Sequence, residues 1–210
     1  MELADGMYAP VRAVLAPRYV RVAEIAGGTG RNMRFSRPSW IEPRPDGSVI
    51  LVSHGTNELL FINANGQIVQ RLQGGSSGFD RPFACVVMAD GSLFVSEFQA
   101  DRIVRLSPEG RILGYVETRP GPGRLSGPQY LASDSEGFVY VSDAGSGRIV
   151  KYSTDGSWIL SFGERSAAFD GLKLPTGIAV LDQKIYVADA FTKVVSVFDL
   201  YGNYLGRVPS

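Results

Sequence analysis

Gly127-Pro128-Gln129-Tyr130-Leu131-Ala132, then Ser135-Glu136-Gly137, then Phe138-Val139-Tyr140-Val141-Ser142-Asp143 decides how this chain folds. The first stretch reads as a strand, because proline is tolerated where a strand's first residue need not donate to the ladder. A Gly-containing turn follows, and the third stretch is rich in the β-branched and aromatic side chains that suit a pleated surface covered on both sides. Ala144-Gly145-Ser146-Gly147 turns the chain into Arg148-Ile149-Val150-Lys151-Tyr152, and Thr154-Asp155-Gly156 turns it into Ser157-Trp158-Ile159-Leu160-Ser161-Phe162. Glycine at these turns accepts the positive φ that a tight hairpin demands.

The same order of strands and turns recurs along the chain. Pro38, Pro82, Pro128 and Pro175 open the copies at spacings of 44, 46 and 47 residues, and Gly66, Gly110, Gly156 and Gly202 mark a later turn at spacings of 44, 46 and 46. A period of this length, filled only with short strands, is that of a propeller blade rather than a helical solenoid. No segment longer than a turn or two carries a 3.6-residue apolar period, so very little helix is expected. The expected architecture is all-β: four complete four-stranded blades at 37–80, 81–126, 127–173 and 174–210, preceded by a partial N-terminal blade and linker at 1–36, in one domain. Val11 to Leu15 and Tyr19 to Gly27 are the expected outer strands of that partial blade.

Pro175-Thr176-Gly177-Ile178-Ala179-Val180, the phrases Tyr140-Val141-Ser142-Asp143 and Tyr186-Val187-Ala188-Asp189, and the joins Phe35-Ser36-Arg37-Pro38 and Phe79-Asp80-Arg81-Pro82 resemble the NHL repeat. The resemblance runs from about Arg37 to Gly206. The first unit departs most, with Trp40-Ile41-Glu42-Pro43 in place of Gly-Ile-Ala and His54 where later units place an acid. NHL propellers are usually six-bladed rings, which implies either a small closed ring or an open arc whose ends associate with a partner or with one another. An open end is a liability that proteins normally cover.

Composition is that of an ordinary soluble globular chain, 44% apolar and 20% charged with no net charge. The single cysteine, Cys85, excludes an intrachain disulfide framework and reads as a small core hydrophobe. No stretch approaches the ~20 apolar residues of a membrane span, and the N-terminal region lacks the apolar segment of a signal peptide. A catalytic zinc site normally takes three protein ligands, commonly histidines, and this chain has one histidine, His54. A Ser-His-Asp arrangement would commit that same residue.

Glu97, Asp143 and Asp189 end the second strand of successive units, with His54 in the corresponding place of the first. Two readings follow: a channel-mouth site for a ligand or a cation such as calcium, or a device capping each turn and pairing with Arg102, Arg148 and Lys193. Recurrence once per blade favours the second. The loops joining blades carry Arg37, Arg81 and other arginines beside Trp40, Phe83, Gln129 and Tyr130, a composition suited to recognising a partner. Neutral overall charge argues against nucleic acid.

These features point to a non-enzymatic binding or scaffold module, without a required cofactor, that offers this Arg- and aromatic-bearing face to a protein partner. The alternatives are a lyase-like enzyme or its degenerate relative with a channel metal site, an RNA-binding NHL domain, and the sensor domain of a receptor.

Overall fold

The structure, a computed structural model, describes residues 24–27, 34–74, 78–116 and 124–208. It contains four antiparallel four-stranded sheets, each built from consecutive strands. The first holds β1 (Pro38–Pro43), β2 (Val49–Ser53), β3 (Glu58–Ile62) and β4 (Ile68–Leu72). The second holds β5 (Pro82–Val87), β6 (Leu93–Glu97), β7 (Arg102–Leu106) and β8 (Ile112–Tyr115). The third holds β9 (Pro128–Ser133), β10 (Val139–Asp143), β11 (Arg148–Tyr152) and β12 (Trp158–Phe162), and the fourth β13 (Pro175–Leu181), β14 (Lys184–Asp189), β15 (Val194–Asp199) and β16 (Tyr204–Arg207). Among the described residues the helical content is a single 3-10 turn, Ala144–Ser146, and among them no helix is long and apolar enough to cross a membrane.

Each sheet is a propeller blade. The first strands β1, β5, β9 and β13 pack side by side in chain order. Blade-to-blade hydrogen bonds tie them: Ser39 Oγ donates to the Phe83 carbonyl at 2.6 Å, Ser96 Oγ to that of Gln129 at 2.5 Å, and Ser142 Oγ to that of Thr176 at 3.2 Å. No strand of the first blade packs against the fourth to a comparable extent, so the described blades form an open arc.

Burial follows from this stacking. In the second and third blades β6 and β10 are buried along their whole length, as strands covered on both faces must be. Separate apolar clusters fill the spaces between successive blades. Between the third and fourth lie Tyr140, Ile149 and Phe162 on one side and Ile178, Ile185, Val187 and Phe198 on the other. Cys85 is buried in the cluster between the first two blades, as a core hydrophobe should be.

The expected N-terminal strands fall mostly outside the described residues. Ile25, which is described, packs with Phe35 against Leu51, Leu60 and Ile62 of the first blade. It lies against Gly66 as Leu72, Val116 and Phe162, from the preceding blade's outer edge, lie against Gly110, Gly156 and Gly202. Ile25 therefore packs on the first blade as those outer-edge residues pack on the blades that follow them.

Candidate functional site

The connections between blades and the turns after the second strands share one face of the arc. Phe98 N–H donates to the Arg81 carbonyl at 3.0 Å, Gly55 to that of Ser36 at 2.9 Å, Gly145 to that of Ser126 at 2.9 Å, and Ala190 to that of Leu174 at 3.0 Å. The inner strands open onto this face, and their first residues put side chains at its centre.

Four aromatic residues of the first three blades meet there with the histidine. Trp40 on β1 meets Tyr130 on β9 edge to face at 5.5 Å. Tyr130 stands at 89° to Phe83 of β5, with centroids 5.1 Å apart, and Phe83 touches Phe98 at 6.2 Å and His54 at 5.8 Å. All five rings are half-buried, packed on one side and reachable from the other. Beside them lies a cavity of about 400 Å³ between the second and third blades, bordered by Phe98, Gln99, Asp101, Gln129, Gly145 and Leu174. Asp101, which accepts the Gly127 N–H at 2.6 Å, adds a carboxylate to a lining otherwise of amide and apolar groups.

His54 is oriented by its own hydrogen bond. Its Nδ1 lies 3.2 Å from the Pro82 carbonyl. A carbonyl only accepts, so Nδ1 carries the proton in this bond, which leaves Nε2 as the nitrogen whose lone pair is free when the ring is neutral. That lone pair makes His54 able to take a proton from a ligand.

Glu42 also belongs to this region. Its Oε2 accepts from Trp40 Nε1 at 3.0 Å and its Oε1 from the Val87 N–H at 3.3 Å, on the inner edge of the neighbouring blade. Burial raises its pKa, and these two donors only partly offset the shift. The departure Trp40-Ile41-Glu42-Pro43 from the repeat is thus one unit, a ring fixed by its own strand's carboxylate.

The row of acids does not converge. Glu97 accepts the Asp80 N–H at 2.7 Å and pairs with Arg102. Asp143 accepts the Ser126 N–H at 2.6 Å and pairs with Arg148 at 3.0 Å. Asp189 takes four N–H groups, from Lys173, Leu174, Phe191 and Thr192, at 2.6 to 3.1 Å. The residue opposite Asp189 is Val194, so Lys193 does not stand where Arg102 and Arg148 do. Each acid accepts from the backbone at its own blade's entry; only Asp189 also caps the turn that follows it, through the Phe191 and Thr192 N–H groups, while Glu97 and Asp143 pair with an arginine of the next strand and Asp143 makes no side-chain cap to its turn.

The first blade departs from the expected alignment. Ser53, opposite Pro38, holds the position of Glu97, Asp143 and Asp189, and its Oγ receives the Ser36 N–H at 3.0 Å. His54 is one residue later, equivalent to Phe98, and both flank Phe83. The charge pair is also inverted: Glu58 stands where Arg102 and Arg148 do and pairs with Arg71 at 2.8 Å.

The structure therefore brings together Trp40, Phe83, Tyr130 and His54, with Gln129 at the adjoining cavity. Arg37 and Arg81 are exposed at the entries to β1 and β5, in the left-handed region at φ 44° and 53°. Phe98, Glu42 and Ser53 are the participants that sequence reading did not select. The usable signal for Phe98 was that it follows the strand-ending acid as His54 follows Ser53. A channel metal would need several convergent ligands. Among the described residues no three His, Cys, Asp or Glu side chains form such a group, so the residues described do not fit that centre.

Comparison with known proteins places the blades among propellers. No family model and no curated protein matches this chain. Among solved structures it is similar to a streptogramin B lyase, with TM-score 0.68 and 20% identity over 84% of this chain. A gluconolactonase from Xanthomonas campestris gives TM-score 0.63 and 21% identity over 81% of this chain and 61% of its own. A catalytically inactive histidine-to-alanine form of virginiamycin B lyase from Staphylococcus aureus, with quinupristin, gives TM-score 0.55 and 16% identity, covering 82% of this chain and 70% of its own.

The chain is a β-propeller protein. It spans 55% of the length of the streptogramin B lyase. The expectation of a purely non-enzymatic scaffold is corrected by this comparison: the similar propellers include lyases and a lactonase, and the lyase-like alternative agrees with them better.

Proposed function

We propose that this chain is a lyase-like propeller or a degenerate relative of one, with its ligand site on the aromatic face of the first three blades. His54 carries the reading. It is the chain's one histidine, its Nδ1 is held by the Pro82 carbonyl so that Nε2 is the nitrogen left for a ligand, and it sits beside Phe83 on the face where the blade connections meet. Trp40, Phe83, Phe98 and Tyr130 supply surface for an apolar or aromatic group, and Gln99 and Gln129 supply neutral hydrogen-bonding partners beside it. In this role His54 is a general base, removing a proton from the bound ligand as a bond to its leaving group breaks. The similarity to the lyases and to the lactonase supports the architecture of the site. The NHL-like phrases at Pro175–Val180 and Tyr186–Asp189 support NHL-type blades as the finer description of the fold.

Quinupristin and gluconolactone are the probes for this reading. A Trp158→Phe form leaves Trp40 as the only indole, so saturable quenching reports binding at the site. We expect at least one compound to quench Trp40 and to be converted, with His54→Gln keeping the quenching and losing conversion. Binding without conversion identifies the degenerate relative. If neither compound perturbs Trp40 and neither is consumed, with or without added divalent cations, the proposal fails.

A further inference from the structure

The strand register equates Glu58, Arg102, Arg148 and Val194, and two residues further on it equates Leu60, Val104, Val150 and Ser196. In the first three blades an arginine fills the corner beside these positions. Arg71 pairs with Glu58 and donates to the Arg34 carbonyl at 2.8 Å, Arg102 pairs with Glu97 over the Tyr115 ring, and Arg148 holds Asp143 and the Arg124 carbonyl. The fourth blade has no such filler. Val194 is short, and Arg207, which matches Arg71 in register, lacks the acid that Glu58 provides. Asp189 does not call for a cation, because each of its oxygens already accepts two backbone N–H groups.

The corner is instead a cavity of about 160 Å³. It opens between the third and fourth blades, since Val194 and Ser196 share the face of β15 that carries Phe198 into that interface. Leu172 and Phe169 of the connection between the two blades wall it, and Phe169 stacks on Tyr204 of β16 at 4.4 Å. Ser196 borders it at 3% exposure, where the matching Leu60, Val104 and Val150 are buried hydrocarbon. The Ser196 hydroxyl has no hydrogen-bond partner among the described residues. A hydroxyl so deeply placed is costly unless something in the cavity bonds to it. Asp170 and Arg207 stand exposed at the rim, neither of them in an ion pair with a described residue.

We propose that this corner is a binding site for a single sugar ring, separate from the aromatic face of the first three blades. Charges of both signs at the rim oppose a simple anion or a simple cation, each of which would meet its own sign. A polyhydroxyl ring meets all three polar groups: one hydroxyl donates to Asp170, another accepts from Arg207, and a third pairs with Ser196 in either sense. Its C–H surface lies on Val194 and Leu172, the apolar share of the lining. The volume equals that of about five waters at about 30 Å³ each, room for one ring and not for a chain.

Saturation-transfer NMR titrations with glucose, galactose and mannose test this. At least one of them should bind. Ser196→Val, which installs the residue of the second and third blades, and Asp170→Ala should each weaken that binding about tenfold, the equivalent of one lost hydrogen bond. The same sugar should leave the Trp40 emission of the Trp158→Phe form unchanged. Circular dichroism shows whether each variant is folded, and Asp170→Ala, at an exposed position, serves if Ser196→Val is not. No binding of any of the three sugars overturns the proposal and leaves a cavity that holds only water. Binding that survives both folded substitutions, or that quenches Trp40, overturns it as well, as does binding of acetate or methylammonium in the place of a sugar.

Discussion

Trp40 of the first blade and Tyr130 of the third meet edge to face, 5.5 Å between ring centroids, although a whole blade separates them along the chain. The contact exists because the inner strands converge, so side chains from alternate blades reach one another over Phe83. Aromatic pairs of this geometry are worth about 0.5–1.5 kcal/mol beyond their area burial. A double-mutant cycle of Trp40→Ala and Tyr130→Ala in urea should return a coupling energy of about 1 kcal/mol. A cycle that closes to zero would mean the first and third blades do not converge in solution.

Asp143 is fully buried, with Arg148 and the Ser126 N–H as its partners. Removing one member of a buried pair leaves an uncompensated charge, at a cost of about 3–5 kcal/mol. Asp143→Ala should lower stability by about 3 kcal/mol in denaturant titration. The ligand-face aromatics are untouched, so any folded fraction should still quench at Trp40.

The pKa of Asp189 is lowered. Burial alone would raise it, but the N–H groups of Thr192, Lys173 and Leu174 stabilise the anion and outweigh that effect. A carboxyl with a depressed folded pKa contributes stability that is present above its unfolded value and lost as pH falls through the folded one. Asp189→Asn should therefore be less stable than the parent near neutrality and converge with it in acid, followed by urea midpoints from pH 7 downward.

Glu42 titrates in the opposite sense. Burial raises its folded pKa, so its relative stabilisation is complete below the unfolded value and is lost as pH rises through the folded one. Glu42→Gln, which keeps an acceptor for Trp40 Nε1, should match the parent in acid and equal or exceed it at pH 7. A marked loss for Glu42→Gln at pH 7 would show that the charge itself holds the first two blades together.

Arg81 sits at φ 53°, a conformation an L-residue adopts at a cost, and the equivalent residue of the third blade is Gly127 at φ 59°. The contacts at this position run through the backbone: the Arg81 N–H to Asn57 Oδ1 and the carbonyl from Phe98. Arg81→Gly should keep both and change stability by no more than about 1 kcal/mol, in the favourable direction. A melting temperature that falls would assign the Arg81 side chain a structural role.

The four four-stranded sheets were legible because prolines at strand starts and glycines at turns are local requirements of backbone geometry, repeated four times. The acids were legible only in part: Glu97 and Asp143 pair with the arginine that opens the next strand, whereas turn capping is made by Asp189 alone, and Lys193 stands out of register. His54 was misaligned by one residue because the first blade replaces the acid with Ser53 and moves its charge to Glu58, an exchange visible only once β2 and β3 pair. Phe98 carried one signal, its place after a strand-ending acid, but its contact with Phe83 comes from another strand, and Glu42 could not be selected because its partner Val87 lies on another blade. A non-enzymatic scaffold was the expectation from a face of arginines and aromatics, and the similar propellers turned that reading toward lyase-like chemistry.

The sequence by itself determined the strands, their turns, their grouping into four blades and the neutral, single-histidine composition, all properties of neighbours along the chain. Tertiary structure alone decided that Trp40, Phe83, Phe98, Tyr130 and His54 form one surface and that the acids stay apart. The reason is physical: hairpin geometry is fixed by a few consecutive residues, whereas convergence and exposure depend on how blades separated by about 45 residues stack.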